Sequence, residues 1–362
     1  MGTRSSKVAF ALVWMFASSL CVYAGERRSI GGIMEKRNTD RVAKLFEHTK
    51  TICIGRFLLD APFESQVIYG PAELPYAIER LIGRGPDFDD VIRERQRAIL
   101  GEDRKLASGE LAKEGSLLGN VVDGKVPSQK IVFGVSRASG SHYMLESYQQ
   151  VGNDLYVQEV ASYGDGYANE LAELNSISPL LVPRHDDKVP SEPGICLDGA
   201  FLAEPAQPIY EYVTLGLRLN GFNDVHFSIE MTKKDRLVES DALEPRVRRA
   251  EVEARKSGAG KWYDRVKVFR RGYRSIGSWT GYEYLAWKPA FGKSGESHVF
   301  AFVSHGEPSN PMLPVLDLSL DTGVRGNETS GTRPSLTDDE AVYVWDKLIS
   351  SIRQRPIRSA PP

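Results

Sequence analysis

The chain has 362 residues, of which 46 are basic and 48 are acidic, so its net charge is −2. A nearly balanced charge argues against a general nucleic-acid binder and against a protein that holds membranes through a polybasic surface. The length exceeds what one hydrophobic core usually holds, which predicts two domains.

The first 24 residues have the composition of a secretory signal peptide. Two basic side chains precede an apolar run of 13 residues, and a small-x-small cleavage pattern (VYA) closes the segment at residues 22–24. The run is shorter than the roughly 20 residues that span a bilayer, which disfavours a membrane anchor, and Leu20 before Cys21 disfavours a lipoprotein. We predict export, no membrane insertion once residues 1–24 are removed, and a mature net charge of −4.

The first half of the mature chain alternates between strand and helix patterns. Residues 25–48 are predicted to be a polar N-terminal extension with a short helix over 39–48, and residues 49–185 to be an α+β domain. The predicted strands of this domain cover residues 51–59, 66–69, 130–136, 142–149 and 154–162, and its predicted helices cover residues 77–82, about 87–100 and 168–174.

The second half repeats this organisation after a predicted linker over residues 186–193, which is rich in Pro, Asp and Ser. Residues 194–356 are predicted to be a second α+β domain, followed by a tail over 357–362. Its predicted strands cover residues 196–202, 212–219, 224–232, 265–287 (broken at Gly-Ser positions), 298–304 and 314–320, and a charged helix covers residues 245–256.

The last predicted helix begins at a capping box, in which Thr337 is followed three residues later by Glu340. Its apolar stripe, which includes Trp345, is predicted to be core and not a cofactor site. Together these patterns predict an α+β fold of two similar domains, each a mainly antiparallel sheet with packed helices.

Two similar phrases lie 143 residues apart. Residues 52–62 read ICIGRFLLDAP and residues 195–205 read ICLDGAFLAEP. The ordered match favours an internal duplication, with chance recurrence as the alternative. Each phrase carries one of the two cysteines left after export, Cys53 and Cys196. They could form a disulfide, worth about 3–5 kcal/mol by loop closure, or remain as two buried thiols.

No motif points to catalysis, to a metal or to a cofactor. The serine of Gly277-Ser278-Trp279-Thr280-Gly281 stands second, whereas a nucleophile elbow needs it third. Residues 258–261 (GAGK) lack the spacing of a phosphate loop, and the six histidines form no ligand pattern. We therefore predict no catalytic residue, no metal site and no cofactor.

Residues 246–274 hold the strongest local charge bias, with eleven basic and three acidic residues interleaved with aromatic side chains. Such a segment is either a solvated face or a surface that docks on an acidic partner, where Arg and Tyr are favoured. The candidate partner-binding residues are Arg248, Arg249, Trp262, Tyr263, Arg270, Arg271 and Tyr273.

The two phrases also carry a family resemblance. Residues 51–62 resemble the start of the N-terminal domain of immunity proteins that guard against type VI secretion lipase effectors, and residues 194–201 resemble the start of their C-terminal domain. Residues 314–323 (PVLDLSLDTG) and the helix from Trp345-Asp346 to the ending at 352–356 are similar as well.

The resemblance implies a periplasmic bacterial protein whose two domains are arranged as a claw. Such proteins grip a cognate secreted phospholipase and block access to its Ser-His-Asp site, so the implied protein is an inhibitor and not an enzyme. A bond between Cys53 and Cys196 would stiffen the joint of the claw. An exported enzyme of unrecognised type and a cell-envelope binding module are the alternatives.

Overall fold

The computed structural model describes residues 39–162, 166–326 and 328–358. The predicted signal peptide over residues 1–24 lies outside the described residues. So do residues 25–38 of the predicted extension and residues 359–362 of the predicted tail.

The described residues of the first half form nine strands and three α-helices. In chain order they are α1 (Asp40–Ala43), β1 (Thr49–Ile54), β2 (Phe57–Pro62), β3 (Gln66–Glu73), β4 (Ala77–Leu81), α2 (Phe88–Gly101), β5 (Val121–Asp123), β6 (Gln129–Val135), β7 (Tyr143–Val151), β8 (Asp154–Ala161), α3 (Ala168–Ile177) and β9 (Leu181–Pro183).

In the second half, the part of the chain that the structure describes forms nine further strands and three further α-helices. They are β10 (Gly194–Cys196), β11 (Ala200–Ala203), β12 (Tyr212–Leu219), β13 (Phe222–Thr232), α4 (Leu243–Lys256), α5 (Gly260–Tyr263), β14 (Lys267–Ile276), β15 (Trp279–Lys288), β16 (Ser297–Ser304), β17 (Val315–Asp321), α6 (Asp338–Ser350) and β18 (Arg353–Gln354).

Each half contributes six strands to the main sheet in the same spatial order. The order is β3-β4-β8-β7-β6-β5 in the first half and β12-β13-β17-β16-β15-β14 in the second. In chain order, α2 lies between β4 and β5 and α4 lies between β13 and β14, whereas α3 and α6 follow the last strands, β8 and β17. The expectation of two similar α+β units is confirmed, and their shared topology is what an internal duplication produces.

The two halves share one twelve-stranded sheet, because β3 pairs antiparallel with β12. On one face, α2 packs on the first half and α4 on the second. Residues that lie opposite each other in neighbouring strands direct their side chains to the same face of the sheet. Glu73 lies opposite both Ala77 of β4 and Tyr212 of β12, so the face that α2 covers in the first half continues into the face that α4 covers in the second. In the described part of the chain, no helix covers the central strands β3, β12 and β13 on this face. The helices α2 and α4 therefore flank an open centre, as the arms of a claw do.

The opposite face holds the largest hydrophobic core, where α6 and both hairpins described below cover the central strands. The predicted capping box of α6 is confirmed: Thr337 accepts a hydrogen bond from the backbone of Glu340, whose carboxylate accepts one from the backbone of Thr337 at 2.9 Å. Trp345 is fully buried in this core, which confirms that the apolar stripe is core.

Each half also completes a small sheet of the other half. The strands β1 and β2 form a hairpin, and β10 and β11 form the equivalent hairpin in the second half. The strand β18 follows the last helix of the second half and pairs with β2, whereas β9 follows the last helix of the first half and pairs with β11. This reciprocal exchange ties the beginning of each half to the end of the other.

A disulfide joins the two equivalent hairpins. Cys53 of β1 and Cys196 of β10 are bonded, with 5.8 Å between their Cα atoms and 143 residues between them in sequence. Both residues are buried. The two similar phrases are therefore the two hairpins that meet at the joint between the halves.

Three predicted elements are wrong. The predicted strands over 51–59 and 196–202 are both hairpins, because Gly55 and Gly199 adopt φ values of +55° and +62° and turn the chain back. The predicted helix over 77–82 is strand β4, which pairs with β8 over four residues. Pairing with a distant strand overrode the local preference of this segment.

Candidate partner-binding surface

Ion pairs hold the tip of each hairpin against the other half of the chain. Arg56, at the tip of the first hairpin, binds Glu211 in a bidentate pair with both distances at 2.9 Å and also pairs with Glu204. At the tip of the second hairpin, Asp198 accepts from Arg80 of β4 at 2.6 Å. The first pair is the more deeply buried, since the Arg56 side chain is 5% exposed and that of Arg80 is 19% exposed.

Two equivalent arginines fasten the segment that connects the halves. Arg184 follows β9 and donates to the carbonyl oxygen of Leu197 at 2.7 Å. Arg355 follows β18 and donates to the carbonyl oxygens of Pro190 and Gly194 at 2.6 and 2.7 Å. Both guanidinium groups are buried and bind backbone acceptors, so they tie the chain around the connection over 183–194 to the joint. Burial lowers the pKa of Arg355 from its ordinary value.

The open centre of the sheet, between α2 and α4, presents a mixed surface to solvent. We call it the open sheet face. It is formed by outward side chains of β3, β12 and β13, all exposed or half-buried: Gln66, Ile68, Tyr212, Thr214, Gly216, Arg218, His226, Ser228 and Glu230. This surface is concave in outline because a helix rises at each end of it.

A cleft of about 500 Å³ opens through the sheet between β3 and β4. Its floor is mainly apolar and lies at the joint, where Ile54, Leu197 and Val213 line it next to Cys196 of the disulfide. Its mouth on the open sheet face carries Glu79 and Glu159. Burial and the neighbouring Glu146 carboxylate raise the pKa of Glu159.

A groove of about 700 Å³ runs between α4 and the strands beneath it. It is more polar than the cleft. Asp317 and Asp321 of β17 lie along it, and burial raises the pKa of each to about 6. The Arg246 guanidinium of α4 reaches Asp317 at only 3.7 Å, which offsets this effect in part.

Four of the seven predicted partner-binding residues are exposed on the α4 arm and its neighbouring edge strand. Arg248 and Arg249 lie on α4, and Arg271 and Tyr273 lie on β14 at the edge of the main sheet. Tyr273 is 73% exposed, and its hydroxyl donates to Glu244 at 3.0 Å.

The other three predicted residues are less accessible. Tyr263 is buried beside α4, and Trp262 is half-buried with its indole N–H donating to the carbonyl oxygen of Pro289 at 2.9 Å. Arg270 lies on the opposite face of β14, where it binds the buried Glu283 and Asp346 of α6. The structure therefore exposes four of the residues on or near the α4 arm and places the other three beneath it or on the opposite face of the sheet.

Within the described residues, none of the helices has both the length and the apolar character needed to cross a membrane. The same residues contain no group of three or more His, Cys, Asp or Glu side chains that could hold a metal ion.

The C-terminal part of the chain matches a known domain. Residues 188–357 match the family model of the Tle cognate immunity protein 4 C-terminal domain. The resemblance that the two phrases suggested is thereby confirmed for the second half, and the immunity-protein domain includes both the second hairpin and the α4 arm.

Solved immunity proteins have the same fold. The chain is similar to the apo structure of the T6SS immunity protein TplEi from Pseudomonas aeruginosa, with a TM-score of 0.68 and 21% identity, covering 86% of this chain and 98% of that chain. It is also similar to TplEi complexed with "L" peptide (TM-score 0.64, 21% identity, 85% and 98% covered). A chain of the Tle4-Tli4 complex gives a TM-score of 0.69 at 22% identity, with 86% and 98% covered. No match was found among curated proteins.

The sequence alone did not reveal the cleft. Its walls come from β4, which was predicted as a helix, and from the tip of a hairpin that was predicted as a single strand. One signal was present: Asp198 interrupts the second phrase where the first phrase has no acid. A charged residue in an otherwise apolar strand pattern indicates a turn and an oppositely charged side chain nearby. Here that side chain is Arg80, which donates to Asp198.

Proposed function

We propose that this protein is a periplasmic immunity protein that binds a cognate type VI secretion phospholipase effector and blocks access to its active site. The immunity-protein domain over 188–357 is the observation that carries the proposal. The similar chains support it, since one was solved in the Tle4-Tli4 complex and another with a bound peptide.

The architecture suits an inhibitor that acts by occupying its target. Two arms, α2 and α4, stand at the ends of the open sheet face, so a protruding part of the effector can be held between them. The disulfide and the hairpin-tip ion pairs fix the angle between the halves before binding. A preorganised surface loses less conformational entropy on association, which favours tight binding.

The periplasm is the compartment in which this inhibitor would meet its target. The predicted signal peptide over residues 1–24 directs export, and the Cys53–Cys196 bond needs an oxidising environment to persist. An effector that cleaves phospholipid from the periplasmic side must be neutralised there.

The four exposed members of the predicted set, Arg248, Arg249, Arg271 and Tyr273, are proposed to contact the effector directly. Arg248 and Tyr273 both bind Glu244 beside the edge strand that carries Arg271, whereas Arg249 lines the groove under α4. Arg and Tyr side chains can supply hot-spot contacts at such surfaces. Trp262, Tyr263 and Arg270 are proposed to support that surface from beneath.

Co-purification tests the proposal. The mature chain and the lipase encoded beside its gene are co-expressed in the periplasm with different tags, and the complex is isolated through either tag. We expect a stable complex that an Arg271→Glu/Tyr273→Ala variant weakens at least about tenfold, because a desolvated contact is lost and a charge is reversed. Arg104→Glu, on an exposed turn of the first half, is the control for charge. Failure of the unmodified pair to associate would refute the proposal.

A further inference from the structure

The strands β3 and β4 part soon after the turn that joins them. They pair only at Ala72 with Ile78 and at Glu73 with Ala77. Beyond these pairs, β3 continues along β12 as far as Gln66, and β4 continues along β8 as far as Leu81. Each strand therefore keeps one paired edge and turns its other edge toward the cleft.

Facing strand edges of this kind are suited to an added strand. In an extended strand, alternate residues direct their N–H and C=O groups to opposite edges. Among the described residues, no backbone hydrogen bond links the segment 66–70 with the segment 79–81. An incoming extended segment would find hydrogen-bonding groups on both walls, which is the basis of recognition by strand addition.

The cleft also offers different chemistry above and below such a segment. Below, toward the joint, it is lined by Ile54, Leu197 and Val213. Above, on the open sheet face, Glu79 and Glu159 are both exposed at the mouth. Successive side chains of an extended segment point to opposite faces, so an apolar residue and its neighbour would meet these two environments in turn.

We propose that the cleft between β3 and β4 receives an extended segment of the effector, in which an apolar side chain enters the floor and an adjacent Lys or Arg pairs with Glu79 and Glu159. This inference rests on the proposed function and identifies the part of the surface that recognises the amino-acid sequence of the effector. The raised pKa of Glu159, which results first from burial and then from the neighbouring Glu146 carboxylate, is consistent with this placement, because a cation there would stabilise the charged form.

Hydrogen–deuterium exchange of the mature protein, alone and bound to the lipase, tests strand addition directly. In the free protein we expect fast exchange at the amides of 66–70 and 79–81 that face the cleft, and at least about tenfold slower exchange in the complex. The equivalent pair β12 and β13 is the internal control, because it is already paired along its length.

Charge reversal tests the predicted basic residue. Glu79→Lys/Glu159→Lys should weaken binding about tenfold or more, and the loss should shrink at high salt. The matched control is Glu47→Lys/Glu64→Lys, which changes the net charge equally at exposed positions beside the β1–β2 hairpin. The control should bind within about twofold of the unmodified protein.

The outcomes separate this inference from the proposed function. If the complex forms but 66–70 and 79–81 gain no protection, and the two double variants bind alike, the cleft proposal is overturned while the inhibitor role stands. If the unmodified protein binds no lipase, both proposals fall. Protection confined to the cleft together with a selective loss in Glu79→Lys/Glu159→Lys is the result that we expect.

Discussion

The first two strands of the main sheet are arranged differently in the two halves, although the topology is the same. In the second half, β12 and β13 pair from Tyr212 with Thr232 to Leu219 with Phe222. In the first half, the equivalent strands β3 and β4 pair at two positions and then separate. The hairpin of the second half fills one side of the resulting gap and leaves the cleft.

This difference indicates which parts of a duplicated fold can diverge. The two halves share the strand order, the helix positions and the exchanged end strands. Each half supplies one end strand, β9 or β18, to the small sheet of the other half, so neither half can lose this strand pairing without affecting the other. The pairing of the first two strands is not needed for this closure. It is therefore free to open in one half, where it leaves the cleft that we propose as a binding site.

The largest effect is expected from separating the two hairpins. Replacing Cys53 and Cys196 with Ala removes a bond that closes a loop of 143 residues in sequence, so we expect a loss of about 3–5 kcal/mol in the free energy of unfolding. Urea denaturation of the oxidised, reduced and Ala-substituted proteins measures this loss. The reduced and substituted proteins should agree, and an unchanged midpoint in both would contradict the role of the bond at the joint.

The two hairpin-tip ion pairs should differ in strength. Arg56→Ala leaves Glu211 without its partner in a buried setting, which should lower stability by about 3 kcal/mol. Arg80→Ala acts at a more exposed site and should lower stability by about 1 kcal/mol. Denaturation with the disulfide intact measures the loss of stability in each variant. A larger loss in Arg80→Ala than in Arg56→Ala would show that burial does not determine the relative strength of the two ion pairs.

The equivalent arginines should instead behave alike. Arg184→Ala and Arg355→Ala each remove a buried cation from backbone carbonyl oxygens, and each should lower stability by about 2–3 kcal/mol. Lysine at either position keeps the charge but loses the planar fork, so it should restore only part of the stability. Thermal and chemical unfolding of the two Ala and two Lys variants provide the test. A large loss of stability at only one of the two positions would contradict the prediction that Arg184 and Arg355 have equivalent roles.

The smallest effect concerns the groove under α4. Because the pKa of Asp317 is raised to about 6 on folding, the folded chain holds this proton more tightly than the unfolded chain does. Its contribution to stability should therefore fall as the pH rises from about 4 to about 6. Since the side chain is 38% exposed, we expect Asp317→Asn to raise stability by only about 1 kcal/mol at pH 7.5 and hardly at all at pH 4.5.

Unfolding temperatures at several pH values measure this effect. Asp123→Asn, which changes an exposed carboxylate in the first half, is the control. A gain at pH 4.5 as large as that at pH 7.5 would show that titration of Asp317 is not the cause.

Local signals in the sequence predicted most of the secondary structure. The capping box at Thr337 and the alternating patterns of β12 and β13 marked their elements because the physical cause lies within a few residues. The two similar phrases were recognised as equivalent for the same reason. The turns at Gly55 and Gly199 were missed, since a glycine inside an apolar run does not by itself show that the chain reverses.

The joint was predicted only in part because its elements are distant in sequence. A bond between Cys53 and Cys196 was one of the two alternatives that the sequence left open, but the strands exchanged between the halves were not predicted. The strands β9 and β18 contain two or three residues each and carry no pattern of their own. They become strands only by pairing with the hairpin of the other half. The cleft depends on this joint, so its residues were also beyond what a single sequence reveals.

Titration of lipase activity with the mature protein tests the central claim most directly. The claim is that the protein inhibits by occupying the effector, so activity on phospholipid should fall linearly with added protein and reach its minimum at one equivalent. The inhibited lipase should recover full activity when the complex is dissociated. Activity that is unaffected by excess protein would contradict the account, and so would irreversible loss caused by far less than one equivalent.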